Sequence, residues 1–280
     1  VQIAQIIAEL PIGSGIVFRL LLFVVYAGIG FYFIISYGDK IKKNPSLSLM
    51  KDDNFDLNEF GSFEKENLER KHIYILLFFV LSYAAILISV QKIGWGLIEM
   101  SACFIGILII VAKIAGMSGD ECMKAFTKGL KIMIVPALVV GVARGISVVL
   151  TEGMIIDTIL YRSSEVLLRM PKVIAAEGML FFQSALNFFI PSASGQALVS
   201  MPLMTPMADI LGISRQTVVL AYILGDGLSN LIIPTNGVLM AMLGLAGISF
   251  ENWIKFTLRL FILSMILALV FIAIAVLIDY

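Results

Sequence analysis

Charge is scarce in this chain. Of 280 residues, 20 are Lys or Arg and 20 are Asp or Glu, together 14%, and the formal net charge is zero. The basic residues are spread among loops rather than gathered on one face, which excludes a nucleic-acid surface. Histidine occurs once, as His72, and cysteine twice, as Cys103 and Cys122. Their spacing suits neither a disulfide framework, a zinc site nor a redox motif. No metal-ligand cluster is present and no nucleophile stands near a base at motif spacing, so an enzyme reading has no support. An initiator Met and a signal peptide are also missing, since the chain opens on VQIAQ. The expectation is an N-terminally truncated chain.

What the chain has in quantity is apolar surface: 60% of its residues are hydrophobic and the mean hydropathy is +1.00. A helix needs about 20 apolar residues to cross roughly 30 Å of hydrocarbon. Runs of that kind predict spans at about 14–36, 72–90, 95–112, 132–150 and 253–279, in an all-α polytopic membrane protein. Residues 113–131 place Met123, Phe126 and Leu130 on one face and read as an interfacial amphipathic helix. A second such helix is expected at 151–172, where Asp157, Arg162, Glu165 and Arg169 are too polar to cross lipid. The segment 37–71 carries seven basic and eight acidic residues and reads as a solvated linker. Together with 113–131 it holds eleven basic residues, so the linker is expected to be cytoplasmic and the C-terminus outside.

Two stretches break the pattern. "PSASGQ" at 191–196 interrupts 173–211, and "IPTNG" at 233–237 interrupts 214–247. In hydrocarbon an unpaired backbone group costs several kcal/mol, so irregular backbone is tolerated only where protein or a polar cavity covers it. The first break predicts a re-entrant hairpin with arms of about half-membrane length, and the second a discontinuous transmembrane helix. Such breaks are where transporters place their sites: unwound carbonyls and small polar side chains hold a cation, and half-helix N-termini face an anion. Ser192, Ser194, Thr235 and Asn236 are candidate Na⁺ ligands, and Gly195 and Pro234 complete the two breaks. A gapless alignment of VQIAQIIAELPIGSGIVFRLLLF with the segment beginning at Gly237 lays Val1 on Gly237 and Arg19 on Lys255, a weak internal repeat. On that reading residues 1–36 end a first repeat and 72–280 form a second.

The segments "ARGISVVLTEGMIIDTIL", "NFFIPSASGQALVSMPLMTPMADILGISRQTVVLAYILGDGLSNLIIPTNGVLMAML" and "GISFENWIKF" resemble the anaerobic four-carbon dicarboxylate carrier family, in its YfcC-like branch. That family is related to the ion transporter superfamily. The resemblance implies two inverted repeats, each with a re-entrant hairpin and a discontinuous helix, and a homodimer in a bacterial inner membrane. It also implies a hairpin tip at PSASG, where relatives carry Ser-Asn-Thr. Ala193 and Ser194 depart from that tip, which bears on Na⁺ coupling.

Charged and amide side chains at membrane depth supply the remaining candidates. Asp226, with Asn230 one turn on, suits a proton, a cation or a substrate ammonium, or else an internal cap. Arg144 suits a substrate carboxylate, or a structural pair with Asp226 or Glu177. Asn187 and Gln183 either line the site or bond between helices. The expected function is a secondary active transporter of small carboxylated metabolites such as succinate or fumarate, working by alternating access. It is ion-coupled through Na⁺ or H⁺, or an exchanger, with no bound cofactor. The alternative is an arginine/ornithine antiporter. A channel and a non-transporting membrane subunit are the readings from other classes.

Overall fold

Backbone groups facing lipid must be paired within their own segment, which leaves a long apolar run one stable form. In the computed structural model, which describes residues 1–49, 69–93 and 95–280, every regular element is helical. The elements are α1 (Gln2–Ile7), α2 (Ile16–Lys43), a 3₁₀ turn at Pro45–Leu47, α3 (Arg70–Ile93), α4 (Leu97–Ala115), α5 (Gly119–Glu152) and α6 (Ile155–Leu167). These are followed by α7 (Lys172–Phe189), α8 (Ala193–Leu211), α9 (Arg215–Ser229), α10 (Gly237–Ala246) and α11 (Phe250–Leu277). Among the described residues, five helices contain stretches long and apolar enough to cross a membrane: Ile16–Lys43, Arg70–Val90, Ile98–Ala115, Gly119–Glu152 and Phe250–Leu277.

Several boundaries differ from those expected, each for a local reason. α2 runs past Ser36 to Lys43, taking the first residues of the supposed linker into the helix. Lys40, Lys42 and Lys43 fall in its last turn, where cations suit the helix dipole, and Pro45 then ends it. Of the rest of that linker, 44–49 carry the 3₁₀ turn, Arg70 and Lys71 already belong to α3, and 50–68 lie outside the described residues. Residues 113–131 are not a separate interfacial helix. Lys113 belongs to the end of α4, which stops at Gly116 with φ 73°, and α5 continues without a break through Lys131 and Ile132. Polarity alone does not terminate a helix; a cap does. Here the cap precedes Gly119, where Ser118 N–H donates to Glu121 Oε2 at 2.7 Å and Glu121 N–H to Ser118 Oγ at 3.3 Å.

The chain divides into two compact units, 56–132 and 1–55 with 133–280. In the first, α3 packs on α4, whose start is fastened by a 2.8 Å bond from Gly96 N–H to Glu99 Oε2. Almost none of either helix's apolar surface is buried within the chain.

The second unit is built around α7, which packs against α8, α9 and α11. Without a hydrophobic drive between helices in lipid, close packing of small residues and interhelical hydrogen bonds do the work. Ala175, Ala176, Met179 and Leu180 of α7 are buried against Val218, Val219 and Ala221 of α9 and Ala268, Ile272 and Ala275 of α11. At the closest approach of α7 and α9, a Cβ on Gly225 would stand 2.8 Å from Leu180 O. α1 packs on α8 and α9. The turn after it is fastened by Arg215, which donates to Ala8 O at 3.2 Å, Glu9 Oε2 at 2.6 Å and, through two nitrogens, to both oxygens of Asp209. Tyr280 OH donates to Gly15 O at 2.6 Å, and Ser214 Oγ donates to Tyr280 O. α6, within 151–172, carries Ile156, Leu160, Ser164 and Leu167 on its buried face.

The first break is tighter than expected. Only Ile190, Pro191 and Ser192 lie outside helix, and Ala193 to Gln196 already form the first turn of α8. α7 and α8 have 18 and 19 residues, so each is about 27 Å long at ~1.5 Å per residue, not half a membrane. The second break is wider than IPTNG and runs from Asn230 to Asn236.

Candidate functional site: a cleft where two helices begin

Both breaks end in caps. Ser192 Oγ accepts from Gly195 N–H at 3.4 Å and starts α8. Asn236 Oδ1 accepts from Val238 N–H at 3.0 Å and Leu239 N–H at 3.2 Å and starts α10. Asx and Ser side chains suit this position because they satisfy amides that have no partner inside the helix.

These two starts line one cleft of about 610 Å³, together with Ala143, Arg144 and Ser147 of α5 and the apolar residues Ile190, Val238, Ala241 and Leu245. Of the residues expected at the site, the cleft thus brings together Arg144, Ser192, Thr235 and Asn236. Arg144 is exposed and, among the described residues, pairs with no acid, Asp226 and Glu177 included. Two helix N-termini and an unpaired guanidinium in an otherwise apolar cleft favour an anion.

The other candidates are placed elsewhere. Asp226, Asn230, Asn187, Ser194, Gly195 and Pro234 do not line the cleft. Ser194 is exposed, with its hydroxyl 3.4 Å from that of Ser192. Asn187 is fully buried on the α7–α9 seam, where its Nδ2 donates to Asp226 O at 3.0 Å, Ser229 Oγ at 2.8 Å and Asn230 Oδ1 at 3.0 Å. Asn230 Oδ1 also accepts from Asn236 Nδ2 at 2.8 Å, and Thr235 Oγ1 donates to Phe188 O at 2.9 Å. The second break is therefore tied to the end of α7 by side chains. The Asp226 carboxylate is half-buried and hydrogen-bonded by the Asn230 side chain. Among the four expected Na⁺ ligands, Asn236 Oδ1 is occupied with the α10 amides and Thr235 Oγ1 with Phe188.

Sequence reasoning did not single out Gln196, Ser200 or Tyr222. Gln196 Nε2 donates to Gln183 O at 2.8 Å and Gln183 Oε1 at 2.7 Å, and Ser200 Oγ donates to Gln183 Oε1 at 3.1 Å. Tyr222 OH donates to Ala193 O at 2.5 Å. A signal was available: Gln183 and Asn187, Gln196 and Ser200, and Tyr222 and Asp226 are each four apart, and so share a helix face, in three consecutive apolar helices.

Among the described residues, five helices long and apolar enough to cross a membrane define a multi-pass membrane protein, with polar side chains gathered at its helix breaks. The C4-dicarboxylate anaerobic carrier family, DcuC, matches residues 1–277, and the chain belongs to that family. It is 34% identical over 267 residues to the Escherichia coli (strain K12) protein named "Putative basic amino acid antiporter YfcC", an alignment covering 91% of this chain and 53% of that protein. It is 36% identical over 266 residues to an uncharacterized protein of Haemophilus influenzae, covering 91% of this chain and 51% of the other. The chain thus spans about half the length of the curated relatives it matches. No solved structure matches it significantly.

Proposed function

We propose that the chain forms part of an ion-coupled or exchanging secondary transporter whose cleft binds a carboxylate of a small four-carbon dicarboxylate. The observation that carries this reading is the convergence of Arg144 with the starts of α8 and α10 on one cleft. Arg144 takes one carboxylate through its planar fork, and the hydroxyls of Ser192 and Thr235 and the Asn236 amide lie around it. α7–α8 serves as the re-entrant hairpin and α9–α10 as the discontinuous helix of an inverted repeat. Supporting the repeat, the shift that lays Val1 on Gly237 carries α1 inside α10 and brings both ends of α2 within two residues of the ends of α11. Transport proceeds by alternating access in a bacterial inner membrane, with residues 37–71 cytoplasmic, the C-terminus outside, and the protein a homodimer.

The name of the Escherichia coli relative favours a second reading, exchange of arginine and ornithine. There the same cleft takes the α-carboxylate, and the half-buried Asp226, which lies outside the cleft lining, is the acid assigned to the cationic end. Uptake of labelled succinate, fumarate, arginine and ornithine into proteoliposomes holding the whole protein, with and without Na⁺ or pH gradients, separates the two. Arg144→Gln should raise the KM for the transported carboxylate about tenfold or more, since a charge-assisted hydrogen bond contributes about 1.5–3 kcal/mol. Because Arg144 is exposed and unpaired, thermal stability should not change. An unchanged KM would remove Arg144 from the site, and non-saturating flux would indicate a channel.

A further inference from the structure

The Leu231 carbonyl lies just past the last turn of α9, in the break that leads to α10, and among the described residues no backbone N–H donates to it. In an apolar setting such a carbonyl is stable only with a donor. The donor comes from another helix. Trp253, one turn into α11, gives its indole Nε1–H to Leu231 O at 2.8 Å. Asn230 and Thr235 fasten the same break to α7, through Asn187 Nδ2 and Phe188 O, so the bond from Trp253 is what ties it to α11 as well.

The indole is braced from behind. Its ring centroid lies 6.0 Å from that of Phe256, which in turn lies 4.7 Å from Tyr37 and 5.1 Å from Phe33 of α2. Tilted and edge-on ring pairs of this kind fix the direction in which the N–H points. Ahead of the indole, Leu231 follows Asn230, whose Oδ1 accepts from Asn236 Nδ2 at 2.8 Å, and Asn236 Oδ1 caps α10. Two side-chain hydrogen bonds and one peptide unit thus connect Trp253 to a helix start that lines the cleft, although Trp253 itself does not line it.

We propose that Trp253 is a positioning residue for the carboxylate cleft: its indole N–H holds the break against α11 and so fixes the Asn236-capped start of α10 at the cleft that Arg144 lines. This rests on reading that cleft as the carboxylate site, and it adds a residue from outside the lining that sets how well the site is formed.

The test uses the whole protein, in detergent for hydrogen exchange and in proteoliposomes for uptake of labelled succinate and arginine. Trp253→Phe keeps a ring against Phe256 and removes the donor. It should speed exchange severalfold at the amides between 231 and 239, and raise the KM of the transported substrate severalfold while Vmax stays within about twofold, the pattern of weakened binding rather than impaired turnover. Trp95→Phe should change neither. Should Trp253→Phe fail to fold, Phe256→Leu, which keeps the donor and removes the ring behind it, must produce the same two changes to a smaller degree. Unchanged exchange in Trp253→Phe, or a fall in Vmax and thermal stability at constant KM, would overturn the proposal, the latter by reducing Trp253 to a structural contact. If Arg144→Gln raises KM and Trp253→Phe does not, this inference falls alone; if Arg144→Gln leaves KM unchanged, the cleft reading falls and this inference with it.

Discussion

Two glycines two residues apart on α9 should respond in opposite directions to the same substitution. A methyl group on Gly225 would stand 2.7 Å from Gln183 Cβ, 2.8 Å from Leu180 O and 3.1 Å from Ser184 N. Two of these are backbone atoms of α7 and cannot turn away, so the helices must part by roughly 0.6 Å to reach ordinary contact. Overpacking of this kind costs about 1–3 kcal/mol. The same displacement stretches the bonds from Ser184 Oγ to Gly225 O and from Asn187 Nδ2 to Asp226 O, 3.2 and 3.0 Å long. Interhelical hydrogen bonds in membranes contribute about 0.6 kcal/mol each. Set against a helix-propensity gain of about 1 kcal/mol for Gly→Ala, the net loss for Gly225→Ala is roughly 1–3 kcal/mol. Gly227 has nothing within 4 Å of its would-be Cβ, so Gly227→Ala keeps the propensity gain and loses nothing. Reversible unfolding in mixed micelles measures both. Equal effects from the two variants, or a neutral Gly225→Ala, would refute a close α7–α9 crossing at this point.

Asn236→Ala should cost about 1 kcal/mol by removing the α10 cap, read as faster hydrogen exchange at Val238 and Leu239. Asn236→Asp should restore that protection yet weaken carboxylate binding, because it caps equally well while setting a negative charge in the cleft; equal carboxylate affinity would remove the cleft from substrate binding. Arg215→Lys should speed hydrogen exchange in the turn at 8–15, because an ammonium cannot reproduce the forked pair to Asp209 while reaching Glu9 and Ala8. Unchanged exchange there would show that the turn is held by Gln5, Ser14 and Tyr280 instead.

Much of the fold is readable from the sequence because lipid leaves few choices. Runs of about 20 apolar residues become helices, and Pro, Gly, Ser and Asn clustered at 191–196 and 233–237 mark where helix stops. The candidates Ser192, Thr235, Asn236 and Arg144 follow from residue type and position in the same way. Boundaries were less legible wherever they depended on a cap rather than on polarity. The start of α5 at Ser118 and Glu121, the extension of α2 to Lys43 and the start of α8 at Ala193 are of that kind.

Tertiary packing alone decided which polar residues meet. Asp226 and Arg144 look alike in sequence, each a charge in an apolar run, yet the first is half-buried beside the Asn230 amide and the second lines the cleft beside α10. That division depends on how α9 is rotated against α7. The rotation is set by the one face of α9 on which Gly225 permits close approach, with Ser229 and Asn230 turned toward Asn187. Composition and the order of apolar and polar residues establish that this chain crosses a membrane and where its helices break. The separation of a cleft lined by Arg144 from the buried amide network of Asn187 and Gln196 arises only when those helices pack, because it depends on side-chain direction across helices that the linear sequence leaves unrelated.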